Sequence, residues 1–164
     1  MNFLEQLAAE YYEYTGYFVR TNVRARKRSL GGWDSELDVL AYKPSECELI
    51  HIEISGDADS WEERKKKFIK KFILSDQEYL TIIGANISKI KRIAISGWTR
   101  TTKIDRKWEN EIELLLIPEF IKQIIIKLHD HDFISEAVPE SFPILRTIQM
   151  MDKYQDLMLK KMIK

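Results

Sequence analysis

Two carboxylates interrupt the stretch ELDVLAYKPSECELIHIEIS, residues 36–55: Asp38 falls in the first of two apolar runs and Glu53 in the second. Between them KPSEC carries the Pro and Ser of a turn, so the runs 37–42 and 49–55 read as neighbouring strands. Side chains alternate across a strand, which places Glu36, Asp38 and Leu40 on one face and Leu37, Val39 and Ala41 on the other. In the second run Ile50, Ile52 and Ile54 form the core side. His51, Glu53 and Ser55 then point the other way, toward Asp38 if the strands pair in register. Two carboxylates so placed repel each other unless a cation lies between them, and Mg²⁺ is the hard ion that takes one or two carboxylates plus water and phosphate oxygens. A solvated sheet face bearing both acids is the alternative reading.

The elements that must position these residues are legible from capping and periodicity. Residues 2–15, NFLEQLAAEYYEYT, read as an opening helix closed at Gly16, with Phe3, Leu7, Tyr11 and Tyr14 on one face and Glu5, Ala8, Ala9 and Tyr12 on the other. YFVRTNVRAR, residues 17–26, alternates as a strand, and a basic turn around Gly31 and Gly32 leads into the two acidic strands, completing a three-strand meander. Ser60 followed by Glu63 is a capping-box pattern opening a helix over 60–74. IKRIAIS, 90–96, and IELLLI, 112–117, read as strands. A helix follows with Pro118 in its first turn, and a last helix runs from 143 toward 164. The order α-β-β-β-α-β-β-α-α, with no repeat or long linker, predicts one α/β domain over residues 1–164, a mixed sheet flanked by helices.

Composition narrows the partners. The 26 basic residues balance the 26 acidic ones, so any attraction for a polyanion must be local. One cysteine, Cys47, excludes an internal disulfide and any Cys-rich zinc module, as suits a reducing cytoplasm. ELLLIPEFIKQIIIKL is broken by Pro118, Glu119, Lys122 and Lys127, and no signal peptide is evident, so a cytoplasmic protein without a membrane span is expected.

Taken together, the opening helix, the Gly-containing turn, ELDVLAY and HIEIS resemble the PD-(D/E)xK nuclease superfamily, in particular its restriction-endonuclease-like and Holliday junction resolvase-like branch. The resemblance covers residues 1–75, the core motif region. It implies a restriction-endonuclease-like fold and a Mg²⁺-dependent endonuclease, with Mn²⁺ as an alternative ion, hydrolysing phosphodiester bonds in DNA. It further implies Asp38, Glu53 and Glu5 as metal ligands and catalytic acids, with Glu10 as the rival on the first helix. One position departs from the motif: Ser55 stands where the family has lysine. On the helix after the strand, Trp61, Phe68, Ile69 and Phe72 form an apolar stripe with Lys65 in its middle, while Lys66, Lys67, Lys70 and Lys71 are expected to point away. Lys65 is therefore the expected substitute cation; a lysine laying its stem along apolar surface is the plainer reading. Loss of the motif lysine also admits a catalytically impaired module that binds nucleic acid or serves as a scaffold.

For nucleic acid the candidates are Arg20, Arg24, Arg26, Lys27 and Arg28 on and after the first strand, with Trp98 and Arg100 in the later SGWTRTTK loop. A solvated, charge-protected edge strand accounts for the first group equally well. The HDHD run, His129 to Asp132, matches no zinc signature. The methionine-bearing stripe of the last helix reads as core or as a homodimer surface.

Overall fold

The meander forms as the alternation requires: β1 (Phe18–Lys27), β2 (Trp33–Lys43) and β3 (Glu48–Ser55) pair antiparallel in sequence order. The computed structural model, which describes residues 2–56, 59–97 and 105–162, divides into two compact units, Met1–Pro118 and Glu119–Lys164. In the first unit β4 (Lys89–Ser96) adds parallel to β3, β6 (Ile112–Leu116) adds parallel to β4, and the two-residue β5 (Lys107–Trp108) pairs antiparallel with β6. The six strands lie in the order β1-β2-β3-β4-β6-β5. The class is α/β with a mixed sheet and flanking helices.

Three helices serve that sheet. In α1 (Phe3–Tyr14) the Asn2 side chain caps the Leu4 and Glu5 N–H groups and the Glu5 carboxylate returns to the Asn2 N–H, a complete capping box. This helix packs along β1 and β2 and buries Leu7, Ala8 and Tyr12. In α2 (Trp61–Lys71) the Ser60 hydroxyl accepts the Glu63 N–H. The helix α3 (Asp76–Ile83) is additional to the order expected from sequence, as is β5, so the chain passes from β3 to β4 through two helices. Ser75 and Glu78 form a second capping box, and Gly84 closes α3 in the left-handed conformation at φ +70°.

One end of the sheet packs against α3 and another against α2. Tyr79 and Leu74 cluster with Val23, Ala25, Leu37, Leu40 and Leu49; Phe68 and Phe72 cluster with Ala94, Trp108, Ile112, Leu114 and Leu116. Fully burying each Leu or Phe contributes ~1.5–3 kcal/mol. Because helices cover both ends, β3 is buried along nearly its whole length, polar residues included. The β1–β2 ladder skips a pair at Asn22, which takes a left-handed φ of 51°. The flanking pairs Thr21↔Val39 and Val23↔Leu37 put that break opposite Asp38.

The second unit holds α4 (Ile117–His129) from its third residue onward and α5 (Pro143–Met162). Phe120, Ile124 and Leu128, spaced four apart, are the buried stripe of α4. No described helix is long and apolar enough to cross a membrane.

Candidate active site

The register of β2 with β3, Val39↔Ile52 and Leu40↔His51, brings Asp38 level with Glu53. The two acids interlock. Asp38 Oδ2 accepts the Ile54 N–H at 2.8 Å, and Glu53 Oε1 accepts the Asp38 N–H at 3.3 Å. The skipped pair at Asn22 releases Asp38 from the β1 ladder, which leaves its N–H to turn toward Glu53. Glu53 is fully buried and the Asp38 side chain is 13% exposed. An uncompensated carboxylate at such a depth loses several kcal/mol of hydration, more than one buried leucine returns, so each charge must be answered locally.

The answering cation is Lys71, the last residue of α2. Its ammonium stands 2.5 Å from Glu53 Oε2 and 3.1 Å from both Asp38 oxygens. The chain therefore does place a lysine on the two acids, but not the one the helix periodicity favours. Lys65 instead lies over the Trp108 ring, 5.8 Å from its centroid. The reason is the direction of the apolar stripe: Phe68 and Phe72 pack over β4, β5 and β6, so the middle of the stripe faces Trp108. Lys71 precedes Phe72 at the end of the helix nearest β2 and β3, and its expected outward orientation is corrected accordingly.

Behind Glu53 lies a polar relay that the sequence reading missed. His51 is fully buried; its Nε2 is 2.7 Å from Glu53 Oε1 and its Nδ1 is 2.7 Å from the Tyr79 hydroxyl. Phe72 packs edge-on to the imidazole at 4.7 Å, and the Arg92 guanidinium lies 5.6 Å from the Tyr79 ring centroid. The available signal was His51 itself, two residues before Glu53 on the same strand face; Tyr79 sat on the helix that was not expected.

Electrostatics follow from this packing. Burial, and then the neighbouring Glu53 charge, raise the Asp38 carboxyl to about 6. Burial also acts to raise Glu53, but the bond from His51 and the Lys71 ammonium outweigh it and hold the group below its ordinary range. Burial lowers His51, which is therefore neutral, donating through Nε2–H to Glu53 and accepting at Nδ1 from Tyr79. Burial pushes the Tyr79 hydroxyl up to about 12, which keeps it a donor. Lys71 is desolvated, yet Glu53 and Asp38 raise it above its ordinary value, so it stays charged.

The other sequence candidates are dispersed. Glu5 serves the cap of α1, and Glu10 is buried and accepts from the Gln6 amide at 3.0 Å. Among the described residues no three acidic, histidine or cysteine side chains cluster as one metal site, so two of the three expected acids meet and the helix acid does not join them. Ser55 pairs in register with Ser96, and the Arg64 guanidinium lies 3.5 Å from the Ser96 hydroxyl. The β1 arginines are engaged within the fold. Arg20 donates to the Ile82 carbonyl, Arg24 pairs with Glu36, Arg26 grips Glu78 and the Ile73 carbonyl, and Arg28 pairs with Asp34. Lys27 is exposed. Trp98 and Arg100 lie outside the described residues.

The arrangement gathers two hard carboxylates around one fixed positive charge. No family model, curated protein or solved structure matches this chain.

Proposed function

We propose that this chain is a metal-dependent phosphodiester hydrolase acting on DNA, with a restriction-endonuclease-like core. The observation that carries this reading is the convergence of Asp38 and Glu53, from paired strands, on the ammonium of Lys71. The donor set suits Mg²⁺ or Mn²⁺: both acids offer oxygen, and Glu53 Oε2 meets the Lys71 ammonium where Oε1 is held by His51. Asp38 and Glu53 would hold the ion, which when bound supplies Lewis-acid activation of a phosphate oxygen and of water.

The remaining work falls to the chain's own groups. Lys71, held charged by its partners, cannot act as a base; its role is to offset negative charge developing on the phosphate. Its side chain is 41% exposed at the mouth of the site, with Glu53 behind it, so a phosphate approaching from solvent meets the ammonium first. On the same helix Lys66 pairs with Glu63 and Lys67 with Asp59, while the exposed Lys70 favours a polyanionic substrate.

A second reading draws on the same closeness. Three charges that already satisfy one another also suit a nucleic-acid-binding or scaffolding module without turnover. The test is incubation of the purified chain with plasmid, single-stranded and branched DNA in Mg²⁺ or Mn²⁺, beside Asp38→Ala and Glu53→Ala. Cleavage abolished in both variants is the outcome expected of the hydrolase. Salt-sensitive binding without cleavage favours the module, and neither binding nor cleavage removes both readings.

A further inference from the structure

Glu53 has two oxygens in unlike surroundings. Oε1 is tied to the His51 ring at 2.7 Å and to the Asp38 N–H at 3.3 Å, while Oε2 faces Lys71. His51 is itself held from the opposite side by the Tyr79 hydroxyl at 2.7 Å and flanked by Phe72, so the imidazole is fixed at both nitrogens and along one edge. An apolar residue at position 51 would fill space in a covered strand without the desolvation penalty that burying an imidazole and a phenol hydroxyl incurs. The extra polarity therefore serves the group it touches.

We propose that His51 and Tyr79 are positioning residues of the site: His51 pins Oε1 of Glu53 so that Oε2 alone faces Lys71 beside Asp38, and Tyr79 locks the imidazole that does so. This rests on the hydrolase reading, because the oxygen so presented is the one offered to a divalent cation. Partners of ligating side chains commonly change metal affinity 10–100-fold when removed, since the ligand then samples orientations that do not bind. Tyr79→Phe removes one oxygen and keeps the ring in its cluster. His51→Leu removes both bonds, and His51→Gln restores a donor toward Glu53.

The experiment is a Mn²⁺ titration of the full chain, followed by the paramagnetic resonance signal of free Mn²⁺, for the native protein, Glu53→Gln, His51→Leu, His51→Gln and Tyr79→Phe, each checked for folding by circular dichroism. The expected result is Mn²⁺ binding by the native chain and its loss in Glu53→Gln. His51→Leu should bind roughly 10–100-fold more weakly, with His51→Gln recovering most of the affinity and Tyr79→Phe weakened several-fold. Should His51→Leu fail to fold, Tyr79→Phe and His51→Gln decide. Native affinity in folded His51→Leu, or in Tyr79→Phe where the leucine variant is unfolded, overturns the positioning role and leaves the hydrolase reading standing. Absence of Mn²⁺ binding by the native chain overturns both.

Discussion

Lys71 reaches from the last turn of α2 to within 2.5 Å of Glu53 Oε2, in the middle of a six-stranded sheet. That ion pair, shared with Asp38, joins the helix to β2 and β3 and decides which lysine of a lysine-rich helix matters.

Lys71→Met keeps the length of the stem and removes the charge, leaving two carboxylates opposed. Breaking a fully buried ion pair costs ~3–5 kcal/mol. The Lys71 side chain is 41% exposed, and water screening brings the expected loss to about 1–2 kcal/mol. Lys65→Met removes only a cation above the Trp108 ring, about 0.5–1 kcal/mol. Denaturant unfolding of both variants in chelator at neutral pH checks the order; a larger loss from Lys65→Met contradicts the geometry.

Glu48 supplies a pH dependence away from the site. It is 3% exposed, accepts from the Tyr17 hydroxyl at 2.9 Å and pairs with Lys89 at 3.0 Å and Lys91 at 2.8 Å. Burial acts to raise its carboxyl, but the two ammonium groups and the phenol prevail and hold it at about 2, against an ordinary 4.5. A group depressed on folding contributes stability that is complete above its unfolded value and disappears as pH falls through the folded one. The native chain should therefore exceed Glu48→Gln by about 1–2 kcal/mol near neutrality, the exposed lysine partners limiting the figure, and the gap should close between about pH 4.5 and pH 2. Unfolding curves across that range measure it. A gap that widens on acidification contradicts the assignment.

Arg26 separates a structural from a binding role. Its guanidinium meets the Glu78 carboxylate at 2.7 Å and 2.9 Å and the Ile73 carbonyl at 2.9 Å, joining β1 to α3 and the segment before it. Arg26→Ala should lower the thermal midpoint while leaving the salt dependence of any DNA binding unchanged, because Nε and Nη2 of the guanidinium are committed to Glu78 and Ile73. A shallower salt dependence in the variant would return Arg26 to the nucleic-acid interface.

Strand alternation carries a definite part of this architecture. The register of ELDVLAY against HIEIS set Asp38 beside Glu53, because register in a covered sheet is strongly specified, but the period of two itself breaks at the skipped pair: Leu37, expected on the face opposite Leu40, packs in one cluster with it. The Ser60 cap likewise located the start of α2 to within a residue, while the helix ends at Lys71, three residues short of the expected 74. Lys71 was not legible, because the 100° rule orders side chains around a helix without saying which sheet strands each arc faces; Phe68 and Phe72 took the arc over β4 to β6. The helix α3 did carry its signals, Ser75 with Glu78 and then Gly84, and it brings in Tyr79. The burial of His51 was not legible from its own strand, since it depends on Phe72 and Tyr79 arriving from two later helices.

The most direct measurement is the rate of DNA cleavage in Mg²⁺ or Mn²⁺ by the native chain, Lys71→Ala and Lys65→Ala at matched protein concentration. Removing a group that stabilises charge on a transferring phosphate lowers turnover by about 10²–10³-fold, and that loss is expected of Lys71→Ala while Lys65→Ala stays within a few-fold of native. Full cleavage by Lys71→Ala, or a collapse confined to Lys65→Ala, would contradict a site built where Lys71 meets Asp38 and Glu53.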